Sequence, residues 1–157
     1  MWEIEVGYKE GKKDAVADSV KASIGEDLGI KKINSLRIID VYRINKDFFE
    51  TQVKEIAEKL FIDPITQSFS IDKPFSDKAD WIIEVKFHED VTDNVAIAAM
   101  EGVHDLTGLG FAEGENLRTA KKYLIEGKLS EKEVQSICKD LLANELIESF
   151  KYWKGKK

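Results

Sequence analysis

The 157 residues, 43% hydrophobic and 34% charged with two prolines, have the composition of an ordinary folded protein, long enough for one medium domain or two small ones. With 24 basic and 30 acidic residues the net charge is -6, which argues against a partner presenting phosphate backbones or anionic lipid; neither nucleic acid nor a membrane is expected. A single cysteine, Cys138, excludes an internal disulfide, no paired Cys or His spacing offers a zinc site, and no apolar run approaches the roughly 20 residues that span a bilayer. Met1 leads directly into an alternating segment instead of a signal-like apolar stretch, so a cytoplasmic location is expected.

In chain order, Trp2-Glu3-Ile4-Glu5-Val6 alternates apolar and acidic side chains, which predicts a strand over 2–8 with one face to the core and the glutamates to water. Asp14 then stands where it can accept from free amides at a helix start, and Val16, Val20 and Ile24 recur at helical spacing. Ser35 to Ile44 is rich in Ile, Val, Leu and Tyr and predicts a long second strand. A second helix is expected over 47–61, with Asp47 and Glu50 as a capping box and Phe49, Val53, Ile56, Ala57 and Leu60 as its apolar stripe. A last strand follows over 65–71, and residues 73–80, polar and holding Pro74, read as a linker.

The same order then repeats. Trp2, Ile4, Glu5, Val6, Asp14, Val16 and Ala17 fall on Trp81, Ile83, Glu84, Val85, Asp93, Val95 and Ala96 at a displacement of 79. From Leu36-Arg37 onward the displacement is 81, matching Leu117-Arg118, and the two added residues fit the turn Gly108-Leu109-Gly110. The longer displacement carries Val53, Ile56 and Leu60 onto Val134, Ile137 and Leu141, and Ser68-Phe69 onto Ser149-Phe150. The second copy accordingly predicts a strand over 81–87, a helix capped by Asp93 with Val95, Ala98, Ala99, Gly102, Val103 and Leu106 on its buried side, a more basic strand over 116–125, a helix over 130–142 with Ser130 and Glu133 as capping box, and a strand over 146–153. The chain therefore reads as a tandem duplication of a β-α-β-α-β module: copy 1 over 1–72, a linker over 73–80, and copy 2 over 81–157. That order predicts an α+β fold, an antiparallel or mixed sheet with helices packed on one face.

Little in this pattern carries chemistry. Gly108-Leu109-Gly110-Phe111 follows a helix instead of preceding one, so it is a turn and not a dinucleotide fingerprint. His88 and His104 have no counterparts in copy 1, and Thr92-Asp93-Asn94 is read as a helix cap in preference to a metal loop. Cys138 occupies the slot of Ala57 and is read as a small core residue. No catalytic, cofactor-binding or metal-binding residue is assigned. Arg37 and Arg118 recur at one module position and can serve either an internal salt bridge or an anionic partner; Trp2, Trp81 and Trp153 can serve the core or an interface. These five are the candidate interface residues.

Four segments, Leu60-Phe61-Ile62-Asp63-Pro64-Ile65-Thr66-Gln67, Val91-Thr92-Asp93-Asn94-Val95, Tyr123-Leu124-Ile125-Glu126-Gly127-Lys128-Leu129-Ser130 and Leu141-Leu142-Ala143-Asn144-Glu145-Leu146-Ile147, resemble the PurS protein and the PurS-like N-terminal region of phosphoribosylformylglycinamidine synthase in tandem form. Glu89-Asp90 stands where that family usually has Pro-Gly, a local departure in the loop before Val91. The resemblance implies a ferredoxin-like-related fold of two modules, with fusion replacing the dimer that a single-module protein would form. It also implies a non-catalytic scaffold in de novo purine biosynthesis, bridging a synthetase that binds ATP and Mg and a glutaminase that releases ammonia. No cofactor is expected on this chain, and self-association is compatible with the pattern. The rival reading is a free-standing regulatory module with a small effector between the repeats; a weaker third is a small enzyme using His88 and His104. The aligned stripes predict that Ile56→Ala and Ile137→Ala each cost about 2–5 kcal/mol, measured by denaturant unfolding; near-neutral shifts in both contradict the assigned core stripe.

Overall fold

The computed structural model describes Met1–Lys156; Lys157, the end of the second predicted copy, lies outside the described residues. Six strands and four helices follow in the predicted order: β1 (Trp2–Tyr8), α1 (Ala15–Leu28), β2 (Ile33–Asn45), α2 (Glu50–Ile56), β3 (Gln67–Ile71), β4 (Trp81–Phe87), α3 (Asn94–Thr107), β5 (Asn116–Gly127), α4 (Glu131–Ile137) and β6 (Glu148–Lys154). The hydrogen-bonded strand order is β3-β1-β2-β5-β4-β6. β1 is antiparallel to β2 and β3, and β4 to β5 and β6. The fold is α+β, as the periodicity requires.

Equivalent side chains of the two copies make equivalent bonds. Asp14 accepts from the Ala17 amide at 3.0 Å and caps α1, and Asp93 accepts from the Ala96 amide at 2.9 Å and caps α3. The two helices end on Gly29 and Gly108, whose φ of 69° and 75° is the left-handed conformation that terminates a helix and that a Cβ disfavours. The Trp2 indole N–H donates to the Phe48 carbonyl at 3.1 Å and that of Trp81 to the Leu129 carbonyl at 3.2 Å. Both second helices widen into a π-helical turn, Ala57–Phe61 and Cys138–Leu142.

The compact units of the chain differ from its sequence copies. Unit 1 comprises Met1–Lys12, Asp40–Phe75 and Thr92–Thr119; unit 2 comprises Lys13–Ile39, Ser76–Val91 and Ala120–Lys157. Strand length explains this. β1 pairs with β2 only as far as Val6 opposite Asp40, so the first half of β2 extends beyond its own copy's strand. The apolar residues there, Ile33, Leu36 and Ile38, are covered in unit 2 by Ala17 and Ile24 of α1 and join Trp81, Ile83, Tyr123, Ile125, Val134 and Ile137 in one core. Reciprocally, β4 pairs with β5 from Trp81 opposite Ile125 to Lys86 opposite Ala120, leaving the start of β5 beyond it. Leu117 from that segment packs with Ala96 and Val103 of α3 and with Ile4, Val6, Ile44, Val53 and Ile56 in the core of unit 1. Each core is thus built from both copies.

Several expectations are corrected. Val16 and Val95 are 61% and 57% exposed and Ala98 is exposed; in the first turns the buried places are taken by Ala17 and Ala96, while Ile24 and Val103 are buried as expected. Asp47 caps nothing: Phe49 is the N-cap residue of α2, and its amide donates to the Gln52 side chain at 2.8 Å. Phe49 is 77% exposed because, as the extended N-cap residue, it stands outside the helical phase, and Leu60 is exposed where the π-helical turn breaks that phase; Val53, Ile56 and Ala57 are buried as expected. Ile65 and Leu146 lie before the last strands, in turns where Asp63 Oδ1 and Asn144 Oδ1 accept from their amides.

Ile24 belongs to copy 1 in sequence but is fully buried in the core of unit 2. Ile24→Ala is expected to cost about 2–5 kcal/mol and to raise amide exchange in β4 and β6 ahead of β1 and β3. Faster exchange confined to β1 and β3 contradicts the interleaved cores.

Candidate functional site

Of the groups that could carry acid, base or nucleophilic chemistry, His88, Asp93 and Cys138 are committed to the fold and His104 stands at the surface. The His88 imidazole Nε2 lies 3.0 Å from the Glu145 carbonyl, holding the turn before β6. Asp93, 4% exposed, accepts from the Ala96 amide and also from the Thr119 amide and hydroxyl, tying α3 to β5. His104 is exposed on the last turn of α3, 3.9 Å from Asp105. The Cys138 thiol is fully buried, and burial pushes its pKa up from 9.0 to about 12. Among the described residues no three His, Cys, Asp or Glu side chains gather closely enough to hold a metal ion, and no helix is long and apolar enough to cross a membrane.

The sheet face opposite the core is the other candidate, and here the structure departs from the expectation that its glutamates meet water. Side chains alternate across a strand, so the neighbours of the core residues Ile4, Val6, Ile83 and Val85 point the other way. On that open face Glu5 is 1% and Glu84 is 2% exposed. Buried carboxylates need partners. In unit 1, Glu5 lies between Val41 and Ser70 on the flanking strands. It accepts from the Phe75 amide at 3.1 Å, while the Ser70 hydroxyl donates to the Lys73 carbonyl at 2.6 Å. The start of the linker is thereby drawn over β1. Glu3, on the same face, is paired with Arg43 at 2.7 Å.

In unit 2 the same position is built differently. Glu84 lies between Lys122 on β5 and Lys151 on β6, and the Lys151 ammonium is 3.9 Å from its carboxylate. The Lys122 and Lys151 ammonium groups also stand 5.9 and 5.5 Å from the centre of the Trp153 ring, within cation–π range. Lys86, exposed, follows Glu84 by two residues on β4 and shares its face.

The five predicted interface residues fall into two groups. Trp2 and Trp81 are on the helix-covered face, their indoles engaged as described; Trp81 is 7% exposed and edge-on to Tyr152 with ring centres 5.9 Å apart. Arg37, between the core residues Leu36 and Ile38, and Arg118, beside Leu117, alternate onto the open face, both half-buried. Trp153 is half-buried on that face. Unit 2 holds Arg37, Trp81 and Trp153, and unit 1 holds Trp2 and Arg118. Sequence reasoning noticed that the second copy's long strand is more basic but missed what Lys122, Lys151 and Glu84 do together. The signal was a glutamate retained at one position in both copies while its cross-strand neighbours changed from Val41 and Ser70 to two lysines.

A family model described as PurS, phosphoribosylformylglycinamidine (FGAM) synthase, matches residues 1–74 and again residues 81–154. No individually curated protein matches the chain.

Burial of Cys138 yields a pH prediction. A raised folded-state pKa stabilises the fold fully below the unfolded value of 9.0, and that contribution is lost as pH rises toward about 12. Tyr42, raised from 10.0 to about 12 by burial and then by the Asp40 charge, acts in the same direction. Stability is expected to fall with increasing pH above pH 9, and the folded chain to resist a thiol reagent at pH 8 that labels it at once in denaturant. Rapid labelling of the folded chain contradicts the core assignment.

Proposed function

The chain belongs to the PurS family of phosphoribosylformylglycinamidine (FGAM) synthase, and from that premise we propose that it is a non-catalytic bridging part of the synthase. In this reading it holds a glutaminase and a synthetase in fixed relation, so that ammonia released by one reaches the other. ATP and Mg belong to the synthetase partner. The observation that carries the reading is the family match to both copies in one chain, whose cores each draw on both copies. One polypeptide then supplies what two separate modules would otherwise assemble. The commitment of His88, Asp93 and Cys138 to structural bonds or to the core supports a role exercised through surfaces and not through chemistry.

The reading is tested by reconstituting FGAM formation from the separate parts. With this chain present, glutamine-dependent synthesis is expected to exceed that in its absence by tenfold or more, on the order of 1.4 kcal/mol of improved coupling, while synthesis fed by ammonium chloride changes little. Arg37→Ala and Arg118→Ala, on the open face, are expected to lower the glutamine-dependent rate more than the ammonia-dependent one. Equal glutamine-dependent rates with and without the chain contradict the bridge, and turnover by the chain alone would return catalysis to it.

A further inference from the structure

The two copies present unlike open faces. Cross-strand register fixes the correspondence: Glu5 with Val41 and Ser70 beside it in one copy, Glu84 with Lys122 and Lys151 beside it in the other. Extended by the repeat, Gly7 corresponds to Lys86 and Asp72 to Trp153. Copy 2 has thus gained three lysines and a tryptophan where copy 1 has a glycine, a valine, a serine and an aspartate. Nothing in the burial of Glu84 requires all of this, because copy 1 buries its glutamate with the Phe75 amide as a partner.

We infer that the open face of β4, β5 and β6 in unit 2, carrying Lys86, Lys122, Lys151 and Trp153, is the docking face for an acidic, extended segment of a synthase partner, and that copy 1 has no such face. This inference rests on the bridging role and names one of its surfaces. Charge complementarity selects the occupant. In a chain of net charge -6, Lys86, Lys122 and Lys151 gather on one face around the buried Glu84, and electrostatic complementarity to such a cluster of cations orients an acidic partner. Neighbouring strands are about 4.8 Å apart, so Lys122 and Lys151, on either side of β4, stand about 10 Å apart across the sheet. Alternate carboxylates of an extended segment, about 7 Å apart, fall within reach of such flexible side chains. Trp153, with two ammonium groups 5.9 and 5.5 Å from its ring centre, offers a rigid apolar surface beside the charges. Lysines are point charges without the planar fork that favours phosphate. A second copy of this chain is disfavoured as occupant: β6 is the last strand of the sheet order, and Lys151 and Lys154 on two such edges repel each other.

The test has two arms on the full chain. In the first, the peptide (Glu-Val)5 is titrated into the chain while tryptophan fluorescence is followed, with Trp153→Phe assigning the signal and (Lys-Val)5 and a 20-nucleotide DNA as comparisons. Saturable binding of the acidic peptide alone is expected, weakened at least tenfold by Lys122→Gln/Lys151→Gln, with cooperative unfolding confirming that this variant is folded. In the second arm, binding to the purified synthetase and glutaminase is measured at low and high salt. The same double variant is expected to bind at least tenfold more weakly with a flatter salt dependence, whereas Lys12→Gln/Lys54→Gln, at exposed lysines of unit 1, binds as the parent does. No binding of the peptide, equal binding of DNA, or partner binding unchanged by the double variant overturns the inference. Failure of the parent chain to bind either synthase part sinks the bridging role instead, and the peptide arm still judges the face.

Discussion

Everything else in this molecule depends on the length of β2 and β5. At 13 and 12 residues they are nearly twice as long as β1 and β4, each of 7 residues, so half of each long strand has no partner within its own copy. Apolar side chains on those halves must be covered, at roughly 25 cal/mol for each square ångström removed from water. α1 covers one set and α3 the other, each helix thereby joining the compact unit that holds the other copy's outer strands. A duplicated gene product could have folded as two separate beads; this one has two cores with contributors from each copy. Truncation at the linker would leave Ile33, Leu36 and Ile38 without Trp81, Ile83 and Ile125.

The retained glutamate on the open face shows how the two copies have diverged within that constraint. A carboxylate nearly removed from water is stable only with bonded or charged neighbours. One copy answers with a backbone amide from the linker and the other with a lysine from the edge strand. The first solution consumes the linker, and the second places cations at the surface, where they can also serve a partner. Fusion permits this: in a dimer of identical modules both faces would change together, whereas two copies in one chain can specialise.

Much of the fold was legible in the sequence because repetition supplied its own comparison. Trp2 with Trp81, Asp14 with Asp93 and Ile56 with Ile137 share positions, and the structure gives each pair the same role. What escaped had physical reasons. Periodicity locates an apolar stripe but not its phase to one residue, so Val16 was placed inward where Ala17 is. A π-helical turn breaks the 3.6-residue rule on which Leu60 was placed. Alternation with glutamate suggests water, and only the cross-strand register shows that Glu84 is enclosed by its neighbours. The interleaving of the copies was not visible, since it follows from how far β1 pairs along β2, a register that composition does not specify.

The central claim, that this PurS-family chain acts by joining two partners, is tested most directly by native mass spectrometry of the purified synthetase, glutaminase and this chain mixed in all pairs and together. The expected result is an assembly of all three that requires this chain, with one copy of it at each glutaminase–synthetase junction. A glutaminase–synthetase assembly that forms equally well without the chain, and excludes it when present, would contradict the claim.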